Sequence, residues 1–199
     1  LRDVVYVGHS RGGGVSLLAA AAASGRARAA LVYEPTMPVQ PGPNGMPAAV
    51  PEPPRMAETA ARALRRRETF ASREALAAHY RAQDAFKDWR EDYFQAFLEY
   101  GTVVREDGSA TPCVPPRSAA RLFEATFGFD AWRGVGAPDL PLLAVFGERS
   151  GRLGAGRDPV AALRTMFPRC EPRVLPHATH TGPMEQPELF ERLVREAAG

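Results

Sequence analysis

Val4-Val5-Tyr6-Val7-Gly8-His9-Ser10-Arg11-Gly12-Gly13-Gly14 is the stretch on which the fold turns. Its first four residues are apolar and mostly β-branched, as in a buried parallel strand. The glycine-rich part, 8–14, breaks the run. Residues 15–23 are rich in alanine and leucine and read as a helix, with Ser24-Gly25 as its stop. A second apolar run, 29–33, ends at Glu34-Pro35. Strand, tight turn, helix, strand is how an α/β sheet begins.

The other end of the chain repeats the pattern. Residues 142–146 form a third buried-type strand closed by Gly147, and Asp158-Pro159 caps and starts a helix running to Phe167. Residues 173–175 make a brief fourth strand. A last helix, 187–196, carries Leu189, Phe190, Leu193 and Val194 on one face. Between the two ends the pattern changes. Residues 38–54 are a proline-rich loop without apolar periodicity. Residues 56–100 are helical, with Phe70, Leu76, Tyr80, Phe86, Trp89, Tyr93, Phe94 and Phe97 set among charges. Asp107-Gly108 between the β-prone stretches 102–104 and 111–114 predicts a hairpin, and 118–127 returns to helix. The expected architecture is a mostly parallel sheet flanked by helices, with a mainly helical cap. Its parts are a core segment 1–37, a cap 38–138 and a second core segment 139–199.

Composition excludes several classes. The 199 residues are 45% hydrophobic, which is globular, and carry a formal charge of +2, too mild for a nucleic-acid partner. Lys87 is the only lysine, and the longest basic run, Arg65-Arg66-Arg67, reads as a solvated helix face. Cys113 and Cys170 make no disulfide framework. The apolar run 15–23 is shorter than the roughly 20 residues a bilayer requires. A cytoplasmic setting is the expectation.

Gly8-His9-Ser10-Arg11-Gly12 has the spacing G-x-S-x-G. Lying between a strand and a helix, it would hold the Ser10 hydroxyl up on a strained turn above the sheet edge. Gly8 and Gly12 would remove side chains that collide where strand and helix cross. The Arg11 N–H, at the helix start, would point at a developing oxyanion. A serine hydroxyl needs a base to become a nucleophile. His177 and His180 both stand just after the fourth strand, at the carboxyl end of the sheet where catalytic groups gather. His9 lies in the turn itself and His79 in the helical insertion.

These residues resemble the α/β-hydrolase superfamily. The resemblance covers the turn at Ser10, the acid region, Gly147-Glu148-Arg149-Ser150 and the tail from His180 to Glu185-Gln186-Pro187-Glu188. It implies a partial α/β-hydrolase fold and a triad of Ser10, Glu34 and His180. The spacing to the Glu-x-Pro-like helix start favours His180 over His177. The family usually places the acid at the position of Ser150, which carries no carboxylate here. Some members carry it one strand earlier, where Glu34 stands, and Glu148 is the alternative acid. The resemblance further implies a serine hydrolase that acts on an apolar, ester-like carbonyl substrate through an acyl-enzyme, with no cofactor or metal, no nucleic acid and no membrane partner. The cap segment resembles that of a bacterial subset of the superfamily. The family sheet has strands ahead of the one that carries the serine. The expectation is therefore an N-terminally truncated chain, weakly active alone, whose Val4–Val7 edge takes missing strands or a partner strand.

Two other readings stay open. Gly8, Gly12 and Gly14 with Glu34 also fit an NAD(P)-binding, Rossmann-type oxidoreductase. A hydrolase-fold protein that only binds ligand is the second. A metal site on His177, His180 and Glu185 lacks further ligands at a recognised spacing.

Overall fold

The computed structural model describes residues 1–23, 25–36, 39–41, 47–49, 54–125, 136–151 and 159–199. Strand β1 (Val4–His9) runs directly into helix α1 (Ser10–Ala22). The strand extends through Gly8 and His9, and the helix takes up Gly12, Gly13 and Gly14, five residues earlier than the sequence pattern placed its start. Strand β2 (Ala27–Tyr33) follows. Strands β3 (Val39–Pro41) and β4 (Pro47–Ala49) pair antiparallel. The stretch expected to be loop throughout therefore carries a small ladder of its own. Alternation is too short in three-residue strands to register as a period.

Helices α2 (Pro54–Leu64), α3 (Arg73–Arg81) and α4 (Glu91–Tyr100) come next. The hairpin of β5 (Thr102–Val104) and β6 (Ala110–Pro112) closes around Gly108 at φ 81°. Asp107 Oδ1 accepts the Ser109 N–H at 2.9 Å, as an Asp-Gly turn favours. Helix α5 (Pro116–Ala125) ends this region; residues 126–127 of the expected helix lie outside the described residues. Strand β7 (Leu142–Gly147), helix α6 (Pro159–Met166), strand β8 (Cys170–Leu175), the short helix α7 (Gly182–Glu185) and helix α8 (Pro187–Ala198) complete the chain. Asp158 and Ser24 also lie outside the described residues.

Strands β1, β2, β7 and β8 form one parallel sheet in that order. Side chains of a strand alternate between faces, and the core divides accordingly. Ala30 and Val32 of β2 join Leu142, Ala144 and Phe146 of β7 against Leu17 and Ala20 of α1 and Leu163 and Met166 of α6. Leu31 and Tyr33 join Leu143 and Val145 on the opposite face, against Leu193, Leu189 and Phe190 of α8. Helices thus cover both faces, as the near-continuous apolar strands require. Strand β1 is an edge strand, with Val7 exposed.

The chain divides into two compact units, Leu1–Val50 with Asp130–Gly199, and Pro51–Phe129. The cap expected from the sequence, 38–138, spans the second of these units and extends beyond it at both ends. The β3–β4 ladder belongs with the sheet, because that unit also holds α6, which β3 packs against. The second unit has its own core, in which Phe70, Leu76, Phe94 and Leu98 are buried with Tyr80, Phe86, Trp89 and Phe97 around them. Arg81 lies 3.7 Å from the centre of the Phe94 ring and donates to the carbonyls of Phe86 and Trp89. Most of the aromatic residues noted in the sequence pack this unit against itself. Among the described residues, no helix is long and apolar enough to cross a membrane.

Candidate active site

All four strands of the parallel sheet point the same way, so the residues that follow them meet along one edge. Register does the rest. His9 pairs with Tyr33, and Tyr33 pairs with Val145. Ser10 and Glu34 are each the next residue, so they leave neighbouring strands at the same level. His180 lies in the loop between β8 and α7.

Ser10 has φ 53° and Glu34 has φ 43°. A non-glycine residue in that region costs about 1–3 kcal/mol and persists only where its surroundings hold it. Here the two bends hold each other. The Thr36 N–H donates to the Ser10 carbonyl at 2.8 Å. A Cβ on Gly14 would stand 2.2 Å from the Thr36 carbonyl oxygen, so a glycine is what lets the segment after Glu34 lie against α1. A Cβ on Gly8 would stand 2.5 Å from the Gly12 carbonyl oxygen, as the motif predicts. Gly12 departs from that prediction. A Cβ there would meet nothing within 4 Å, because the close approach falls on Gly14 instead.

The Ser10 hydroxyl lies 3.0 Å from His180 Nε2, and His180 Nδ1 lies 2.6 Å from Glu34 Oε2. Glu34 is completely buried and also accepts the Gly147 N–H at 2.9 Å. A carboxylate so placed fixes the tautomer with the proton on Nδ1, which leaves Nε2 as an acceptor facing Ser10. Burial is the largest influence on the Glu34 carboxyl and opposes its ionisation. Hydrogen bonds from His180, Ser150 and Gly147, with the charge on His180, outweigh it and hold the carboxyl below its ordinary range.

The other candidates fall elsewhere. Glu148 accepts the His177 N–H at 2.7 Å and stands 3.5 Å from His177 Nδ1, away from His180. His177 has φ 57°, and its side chain is largely exposed. His79 lies against Phe70 and Tyr80 in the second unit. Arg11 stands in the first turn of α1, where backbone N–H groups have no intrahelical acceptor. Glu34 has neither exposure nor spare geometry for a ribose hydroxyl, which argues against the dinucleotide reading. Among the described residues no group of three or more His, Cys, Asp or Glu could hold a metal ion.

Several residues at the site escaped sequence reasoning. His9 Nε2 donates to the His180 carbonyl at 2.7 Å, and the two rings are 4.8 Å apart. The Tyr33 hydroxyl donates to the Thr179 carbonyl at 2.5 Å. Burial, Glu34 and Glu185 push that hydroxyl well above its ordinary range, so it remains a donor. Ser150, at the position where the family usually carries its acid, hydrogen-bonds Glu34. A threonine stands on each side of His180 in the sequence, a local sign of hydrogen bonding in that loop, but nothing in the spacing marked Tyr33.

The profile of the alpha/beta hydrolase family matches residues 1–193. No curated protein sequence matches the chain. Solved structures do. A peroxisomal alpha-beta-hydrolase from Saccharomyces cerevisiae is similar with a TM-score of 0.72 at 18% identity, over 98% of this chain and 52% of that one. E-2-(acetamidomethylene)succinate hydrolase is similar at 0.70 and 21%, over 97% and 65%. An M. tuberculosis esterase is similar at 0.67 and 22%, over 96% and 61%. The chain therefore spans between about half and just under two thirds of these proteins' length, and the likeness is one of fold.

Proposed function

We propose that this chain, which belongs to the alpha/beta hydrolase family, carries the reacting residues of a serine hydrolase that cleaves an ester-like carbonyl substrate through an acyl-enzyme. One observation carries the reading: an unbroken hydrogen-bonded path from Ser10 Oγ through both ring nitrogens of His180 to the buried Glu34, in steps of 3.0 Å and 2.6 Å. Esterases and hydrolases among the proteins of like fold add support.

In the proposed reaction, His180 Nε2 takes the Ser10 proton as Oγ bonds to the carbonyl carbon. The Arg11 N–H donates to the oxyanion of the tetrahedral intermediate. The imidazolium, held by Glu34, protonates the departing alkoxide as its bond to carbon breaks. Water, deprotonated by His180, then attacks the acyl-enzyme; the Ser10 Oγ–carbon bond breaks, the acid product leaves, and the proton returns from His180 to Ser10. The His9 bond to the His180 carbonyl would keep the base over the serine throughout.

Ser10→Ala and His180→Ala should each abolish turnover of a short-chain p-nitrophenyl ester and labelling by a fluorophosphonate. Undiminished labelling of the Ser10→Ala protein would overturn the reading.

A further inference from the structure

The carboxylate of Glu185 closes around the two residues that flank His180. Its Oε2 accepts the Thr179 N–H at 2.9 Å. Its Oε1 accepts the Thr179 hydroxyl, and the Thr181 hydroxyl at 2.8 Å. Thr179 is held from a second side by the Tyr33 hydroxyl, one residue before Glu34 on the chain. The hydrogen bonds of Glu185 go to these threonines and not to the imidazole.

The His180 ring has work to do that packing does not do for it. Its side chain is 38% exposed. The loop leaves β8 through His177 at φ 57°, a bend held by Glu148 on the His177 N–H at 2.7 Å and by the Arg149 N–H on the Ala178 carbonyl at 2.8 Å. A ring in that position keeps its angle to Ser10 only if the backbone on both sides is pinned. The Glu185 carboxylate joins both sides, alongside direct contacts from Thr179 Oγ1 to the Thr181 hydroxyl at 3.2 Å and to the Thr181 N–H at 3.3 Å.

We propose that Glu185 is a positioning residue, whose bonds to Thr179 and Thr181 set the angle at which His180 meets Ser10. The inference rests on the serine-hydrolase reading above. Its basis is geometric and not electrostatic, which makes the amide the decisive variant. In Glu185→Gln the amide oxygen can accept the Thr179 N–H, and the amide nitrogen can donate to the threonine hydroxyls once these rotate to accept. The clasp survives and the charge does not.

The test is labelling of the whole chain by a fluorophosphonate. Ser10 Oγ bonds to phosphorus, fluoride leaves, and His180 takes the proton. The endpoint counts folded, competent molecules, and the rate reports how well the base is placed. Glu185→Ala should reach the wild-type endpoint about 10–100-fold more slowly, the range expected for displacements of up to about 1 Å. Glu185→Gln should stay within about threefold of wild type on the same argument. A wild-type rate for Glu185→Ala, or a Glu185→Gln rate as slow as that of Glu185→Ala, overturns the inference. If Glu185→Ala leaves most molecules incompetent, Thr181→Val decides. It keeps the volume and removes one hydroxyl of the clasp, so a several-fold slower rate at full endpoint supports the role and an unchanged rate overturns it. A wild-type chain that does not label, or a Ser10→Ala chain that does, overturns the serine-hydrolase reading and this inference with it. An unaltered Glu185→Ala rate beside an inert Ser10→Ala protein overturns this inference alone.

Discussion

Replacing Glu34 by glutamine keeps the size of the side chain and removes a charge at the far end of the path from Ser10. The carboxylate accepts from two places, the Gly147 N–H at 2.9 Å and His180 Nδ1 at 2.6 Å. Glutamine offers one oxygen and one NH₂ for those places. With the oxygen toward Gly147, the amide N–H faces Nδ1. The imidazole proton then moves to Nε2, and His180 can no longer accept from Ser10. With the oxygen toward His180, the NH₂ faces the Gly147 N–H. Two buried donors in opposition cost about 1–3 kcal/mol, so the productive arrangement is depleted by a factor of roughly 5–150. Lost attraction for the imidazolium adds to this. Unit charges about 4 Å apart interact by about 4 kcal/mol at an effective dielectric constant of 20. The partial exposure of the ring lowers this to about 2–3 kcal/mol. Together the two effects predict a fall in kcat of roughly 10²–10⁴, with KM little changed. Initial rates on a p-nitrophenyl ester, with Tm measured alongside, provide the assay. Glu148→Gln is the control and should stay within about twofold, because that carboxylate serves the His177 backbone. A Glu34→Gln protein that keeps kcat within tenfold of wild type would refute the reasoning, as would a larger loss in Glu148→Gln.

Gly14→Ala should destabilise the protein by about 1–3 kcal/mol, since its Cβ would overlap a backbone carbonyl; Gly12→Ala, in open space in the same helix, should leave Tm unchanged or raise it. Thermal melts of the two variants check both. The Glu34 carboxyl titrates below its ordinary range, so the stability it contributes is full above that range and is lost as pH falls through its lower folded value. The wild-type Tm should accordingly approach, or drop toward, that of Glu34→Gln as pH is lowered from about 5. Burial pushes the Cys170 thiol up to about 11, whereas Cys113 is exposed. A maleimide should modify Cys113 alone in the native protein and both cysteines in denaturant, with mass spectrometry as the readout.

Local physics made much of this protein readable in advance. An apolar β-branched run, a glycine cluster and an alanine-rich helix announce strand, turn and helix wherever they occur. Those signals placed Ser10 at a strand end, and the same signals placed Glu34 and His180. The Asp107-Gly108 hairpin was readable for the same reason, because turn chemistry is confined to a few residues. What alternation could not show were the three-residue strands β3 and β4 and the true start of α1, where glycines that look like breakers sit inside the first helical turns.

The amino-acid sequence by itself determined which residues stand at the carboxyl ends of strands, because each end is set by neighbours in the chain. Which of them meet was decided only by the tertiary structure. Glu34 rather than Glu148 reaches His180 because parallel register puts Tyr33 beside His9, and because Gly14 leaves room for the chain after Glu34 to lie against α1. The clasp of Glu185 on Thr179 and Thr181, and the Tyr33 hydroxyl behind it, depend on contacts across 146 positions of chain as well as within one loop. No local preference encodes a distance of that kind; it exists only once the sheet has assembled.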